Sequence, residues 1–124
     1  NQKIFMAQYE CIKKLAEQES CIIVGRCADY ALKDMPGLVS VFISADMDFK
    51  IKRVIEMYGC DEVKAKDIIN KTNKKRASYY NFYSNKKWAD SRSYNLCINS
   101  SVVGIENAAD LIIQFMNLKL NKKD

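Results

Sequence analysis

Arg26 is the first residue whose type and setting suggest chemistry. It follows the apolar run C-I-I-V-G at residues 21–25, and Asp29 lies three residues further on. The run is short and β-branched, with apolar side chains on both parities, the pattern of a strand covered on both faces in a parallel sheet. Ligands of such sheets bind beyond the carboxyl ends of the strands. A guanidinium there can fork onto a phosphate or a base edge. The plainer alternative is a surface salt bridge from Arg26 to Asp29.

A second group lies on a helix expected over residues 67–88. Ile69, Thr72, Arg76, Tyr79, Tyr80 and Tyr83 follow one another by 3, 4, 3, 1 and 3 residues, which places them on one stripe. Lys71, Lys74 and Lys75 flank Arg76 on neighbouring faces, with Asn73 among them. Residues 71–92 hold seven basic side chains against one acid, Asp90, a local charge of +6 in a chain whose total is +5. The rest of the chain is close to neutral, so the basicity points to an anion met at one place, phosphate first. The alternative is a solvated lysine-rich face whose tyrosines pack on the sheet. A third group, Asn99-Ser100-Ser101, offers amides and hydroxyls at a strand end, and reads more simply as the N-cap of the following helix.

Other mechanisms are excluded by composition. Histidine is absent, which removes Ser-His and Cys-His pairs and imidazole metal ligands. The five cysteines are odd in number, spread out and never in a C-x-x-C pair. Cys21, Cys27 and Cys97 sit in or beside apolar segments and read as small hydrophobes, so neither a disulfide scaffold nor a zinc site is expected, and a reducing cytoplasm is. With 124 residues, 48% hydrophobic and 28% charged, residues 1–124 are expected to form one domain. The apolar runs fall far short of the ~20 residues of a membrane helix, so no membrane partner is expected, nor is a signal peptide. Among four glycines there is neither G-x-x-x-x-G-K-[ST] nor G-x-G-x-x-G, so these residues alone build no complete phosphate cradle.

Hydrophobic periodicity supplies the elements that would position these groups. Helices are expected at residues 4–17, 49–58 and 105–118, the second capped by Gly59, and another starts at the cap Asp61. Short buried strands are expected at 21–25, 39–44 and 94–99, with a polar turn or short helix at 26–30, a turn at Pro36-Gly37 and a frayed tail at 119–124. Alternating strands and helices predict an α/β fold, a parallel sheet flanked by helices.

Five segments in this order resemble the cytidylate kinase-like family of bacterial P-loop proteins. They are V-G-R-C-A-D-Y at 24–30, V-F-I-S-A-D at 41–46, F-K-I-K-R-V at 49–54, K-K-R-A-S-Y-Y at 74–80 and Y-N-L-C-I-N-S-S at 94–101. The resemblance covers nearly the whole chain. It implies the C-terminal part of a P-loop nucleoside monophosphate kinase fold, with residues 71–92 as a basic helical lid and with ATP and Mg²⁺ as cofactors. Arg26 would then meet a CMP-like acceptor alongside Gly25 and Asp29. Arg76 would be the lid arginine that contacts phosphates, with Lys71, Asn73, Lys75 and Tyr79 around it. The chain departs from the family pattern at three places, where Cys27, Asn73 and Asn95 replace acids. The family's opening strand, phosphate loop and substrate-binding insertion have no counterpart here and are expected upstream of Asn1, so these residues alone are expected to be inactive.

Three functions remain open at this level. The first is phosphoryl transfer from ATP to a nucleoside monophosphate or similar small acceptor. The second is nucleic-acid binding, with the basic segment tracking a backbone while Tyr79, Tyr80, Phe82, Tyr83 and Trp88 stack bases. The third is a catalytically degenerate nucleotide-binding protein, suggested by the acid-to-amide departures.

Overall fold

The structure, a computed structural model, describes residues 2–122. Helix α1 (Gln2–Gln18) leads through an extended stretch and a tight turn into the short helix α2 (Ala28–Ala31). Strand β1 (Val41–Ser44), helix α3 (Met47–Tyr58) and the long helix α4 (Glu62–Ser84) follow. A 3-10 turn (Ser91–Ser93), strand β2 (Leu96–Asn99), the short helix α5 (Ser100–Val103) and helix α6 (Ile105–Leu120) complete the described chain. The fold is α/β, with β1 and β2 paired in parallel and Val41 opposite Leu96 through Ser44 opposite Asn99.

The expected strand at residues 21–25 does not form. Residues 20–24 are without regular structure, and Ile22 and Val24 are 94% and 88% exposed. β-Branched residues favour extended backbone, but a strand also needs a neighbour for its N–H and C=O groups. Among the described residues the ladder consists of β1 and β2 alone. Cys21 and Cys97 are correspondingly exposed, and of the three cysteines read as small hydrophobes Cys27 alone is buried.

Helix α4 is 23 residues long, roughly 34 Å at 1.5 Å per residue. It begins where Asp61 caps it, the carboxylate accepting from Lys64 N at 2.8 Å, and exposed pairs Glu62–Lys66 and Asp67–Lys71 brace its first half. It stops at Ser84, four residues short of the expected Trp88, because Asn85 adopts the left-handed conformation (φ 58°) that ends helices. Gly59 does the same for α3 at φ 64°. Helix α6 runs to Leu120, so Lys119 is helical rather than frayed, while residues 123–124 of the expected tail lie outside the described chain.

Packing divides α4 into two halves. Ala65 and Ile69 bury against Ile51 of α3, while Tyr80 buries with Phe5 of α1 and Cys27. A third cluster joins Ile12 of α1 to Ala28, Ala31 and Leu32. Between its two anchors α4 carries Lys74, Lys75 and Arg76 in the open.

Candidate functional site

Gly25, Arg26 and Cys27 are consecutive left-handed residues, at φ 72°, 59° and 55°. Glycine accepts this backbone freely, whereas a side chain there costs on the order of 1–3 kcal/mol. Two non-glycine residues held this way need support from their surroundings. Ala28 N donates to Gly25 O at 3.1 Å, and the Cys27 carbonyl accepts from Tyr30 and Ala31 at the start of α2. Cys27 itself is buried against Phe5 and Tyr80. Burial, with the negative charge of Asp29 adding to it, pushes the Cys27 thiol up to about 11. It is a packed, protonated thiol and not a nucleophile.

Asp29 does not pair with Arg26. One carboxylate oxygen accepts from Tyr30 N at 2.9 Å, and the other accepts from the Tyr80 hydroxyl at 2.6 Å. Burial and this bond to Asp29 hold the Tyr80 hydroxyl protonated well above the usual tyrosine range. The salt-bridge alternative for Arg26 therefore falls away, and Asp29 is a structural acceptor in this arrangement. Tyr80, expected on the stripe only as an aromatic, is the partner that sequence reasoning missed.

The tyrosines of α4 form the centre of an aromatic wall. Phe5 lies flat on Tyr83, with centroids 4.0 Å apart and planes 6° apart, and Tyr79 donates its hydroxyl to Gln8 at 3.1 Å. Tyr80 stacks on Tyr94, Tyr94 on Phe42 of β1, and Trp88 meets Phe42 edge-on at 5.2 Å. Burial raises the Tyr79 hydroxyl, with Cys27 and Tyr83 adding to the effect and the positive charge of Arg26 opposing it. Arg26 thus lies within electrostatic reach of Tyr79, one turn along α4 from Arg76.

The four arginines differ in their commitments. Arg92 forks onto Asp90 through two hydrogen bonds of 3.0 and 2.8 Å, which hold that carboxyl well below the usual range. Arg53 lies over the Phe49 ring. Arg26 and Arg76 are exposed and have no hydrogen-bond or ion-pair partner among the described residues. Lys71 is tied to Asp67 at 3.0 Å, while Lys75 is exposed and Asn73 half-buried on α4. Lys71, Lys74, Lys75, Phe82 and Tyr83 also line a shallow groove of about 640 Å³. Tyr79 of the stripe lines the groove as well, whereas Arg76 is not among its lining residues.

The strand ends carry polar groups of their own. Asn99 accepts from Ser101 N at 3.0 Å and so caps the short helix α5, not the last helix as the simpler reading of Asn99-Ser100-Ser101 expects; the N-cap of α6 is Gly104, with no side-chain cap. The Asn99 amide nitrogen also donates to Asp46 at 3.0 Å, and Asp46 N donates to the Ser101 hydroxyl at 2.9 Å; hydrogen bonding from Asn99 first and Ser101 second lowers the Asp46 carboxyl below its ordinary value.

Residues 1–102 match the cytidylate kinase-like family. The chain belongs to that family. It is also similar to the crystal structure of an uncharacterized protein from Eubacterium ventriosum ATCC 27560, at 44% identity and a TM-score of 0.91 over 94% of this chain. The chain spans 66% of that protein's length. No curated protein matches.

Membership gives the departures from the family pattern a structural meaning. At Asn95 the side-chain oxygen accepts from Ser40 N at 3.0 Å and from Lys119 Nζ at 3.4 Å, so the amide fastens the entry of β2 to β1 and α6. At Cys27 the side chain is part of the aromatic core rather than the acid of a ligand site. Family membership suggests a kinase-like nucleotide-binding role. Among the described residues no helix is long and apolar enough to cross a membrane.

Proposed function

We propose that the protein transfers a phosphoryl group from ATP to a nucleoside monophosphate of the CMP type, or to a similarly small acceptor. The observation that carries this reading is that Arg26 and Arg76 are both exposed guanidiniums with no carboxylate partner among the described residues, Arg26 within electrostatic reach of Tyr79 and Arg76 three residues before Tyr79 on α4. A guanidinium free of carboxylates keeps its fork for phosphate oxygens. Arg26, raised on its left-handed turn beside Gly25, would take the acceptor phosphate, and Arg76 would neutralise charge on the phosphoryl in transfer. Lys75 adds positive potential from the neighbouring face.

The donor's phosphates fit these cations. A magnesium ion finds no cage here, since among the described residues no three Asp, Glu or Cys side chains converge and Asp29 is already committed. No step is assigned to the ion. These 124 residues carry no phosphate-loop motif for the donor. The lid corresponds to the exposed middle of α4 and not to all of 71–92, since the stretch from Tyr79 onwards is held by α1.

Titration calorimetry with CMP and ATP tests the proposal. Wild-type protein should bind CMP, and Arg26→Ala should weaken it by at least about tenfold, the scale of one charged hydrogen bond. Equal binding by both proteins would refute the assignment of Arg26. A second reading is favoured by the groove beside it. Lys74 and Lys75 are exposed and Phe82 is 76% exposed, a surface that would suit a single strand of nucleic acid. Affinity for an oligonucleotide that falls steeply with salt, together with no CMP binding, would replace the kinase reading with this one.

A further inference from the structure

Arg26 has no hydrogen-bond or ion-pair partner among the described residues, yet it sits in a run of three consecutive left-handed residues. The segment from the left-handed turn into α2 meets Tyr80 of α4 in two ways. The Tyr80 ring is buried with Cys27, and the Tyr80 hydroxyl donates to Asp29 at 2.6 Å. Asp29 follows Arg26 by three residues, and Tyr80 follows Arg76 by four. The Tyr80 hydroxyl therefore supplies the hydrogen bond that, beside the packing of Cys27, ties the segment presenting one free guanidinium to the helix presenting the other.

We propose that Tyr80 is a positioning residue: by holding Asp29 it fixes the left-handed turn, and with it the placement of Arg26 relative to Arg76. The inference rests on the reading of Arg26 as a phosphate ligand, and extends it to a residue that touches no substrate. Tyr80→Phe is the suitable perturbation, because it removes the hydroxyl and leaves the buried ring in place. Asp29 then keeps its bond to Tyr30 N and loses its tie to α4.

Two measurements on the same variants test this. In hydrogen exchange, Tyr80→Phe should speed the amides of Ala28, Tyr30 and Ala31 by at least about tenfold, the scale of one hydrogen bond to a charged group, while those of Phe42 and Ile43 in β1 stay unchanged. In calorimetry with CMP, Tyr80→Phe should weaken binding, and the loss should vanish in an Arg26→Ala background. A hydroxyl that merely stabilises the fold would give the same loss in both backgrounds. Asp29→Asn, which keeps an oxygen to accept from Tyr80, should retain more affinity than Asp29→Ala. Unchanged exchange at residues 28–31, or equal CMP losses with and without Arg26, overturns the inference. If wild-type protein binds no CMP, the kinase reading falls separately and the exchange arm alone decides whether Tyr80 fixes the turn.

Discussion

Phe5 is the side chain through which α1 holds the second half of α4, and its removal can be sized from the structure. The ring is 7% exposed, lies flat on Tyr83 at 4.0 Å and meets Tyr79 and Tyr9 at 6.3 and 6.1 Å. Burying a phenylalanine side chain contributes about 1.5–3 kcal/mol, and an aromatic pair adds ~0.5–1.5 kcal/mol. Tyr79 and Tyr83 are only half-buried and can settle into part of the space left behind. Phe5→Ala should therefore cost about 3 kcal/mol, at the low end of the range for phenylalanine truncations. Phe82 gives the control on the same helix: it is 76% exposed and touches only the edge of Tyr83, so Phe82→Ala should cost less than about 1 kcal/mol. Urea unfolding followed by far-UV circular dichroism measures both, provided the slopes stay equal so that midpoints report stability. A Phe5→Ala cost within about 1 kcal/mol of the Phe82→Ala cost would show that α1 does not anchor α4, and the division of that helix into two halves would be wrong.

Three further outcomes follow from the same geometry. Amides at residues 79–84 of α4 should exchange more slowly than those at 72–77, since the former pack on α1 and the latter stand between anchors; equal rates would contradict the narrower lid. Arg76→Lys should lower kcat by at least about tenfold and Lys74→Ala far less, because an ammonium cannot reproduce the fork of a guanidinium; the reverse order would remove Arg76 from the site. The folded-state pKa values of Cys27, Tyr79, Tyr80 and Tyr94 are all raised, so the stability they contribute is complete at neutral pH and is lost as pH climbs through the alkaline range. Cys27, raised from 9.0 to about 11, should dominate the onset, so Cys27→Ala should flatten the decline between those values in pH-dependent urea unfolding; an unchanged slope would show that the thiol is not buried as described.

The helices were the most legible part of the sequence, because 3.6-residue periodicity and local caps decide them. Asp61 and Gly59 both act where their residue types say they should. Strands β1 and β2 were legible for a different reason: each is a short apolar run that finds the other as a neighbour. Residues 21–25 carry the same pattern, and the pattern misled because pairing is a property of two segments and not of one. The end of α4 is hard to read, since Asn85 is a weaker stop signal than glycine and neither glycine nor proline follows it before Trp88. In the site, residue type singled out Arg26 and Arg76. The fate of Asp29 was invisible, because its partner Tyr80 lies 51 residues away and nothing in either segment announces the bond. The acid-to-amide change at Asn95 could be seen in the sequence, and its meaning came only with Ser40 and Lys119 beside it.

The central claim, that Arg26 and Arg76 serve phosphoryl transfer, is tested most directly by following phosphorus itself. The protein in its longest natural form would be incubated with ATP, Mg²⁺ and CMP and watched by ³¹P NMR, with Arg76→Lys alongside. CDP and ADP should appear together in equal amounts with wild-type protein, and at a rate at least about tenfold lower with Arg76→Lys. Contradiction would be ATP and CMP left unchanged by folded wild-type protein across a panel of nucleoside monophosphates, or turnover that Arg76→Lys leaves intact.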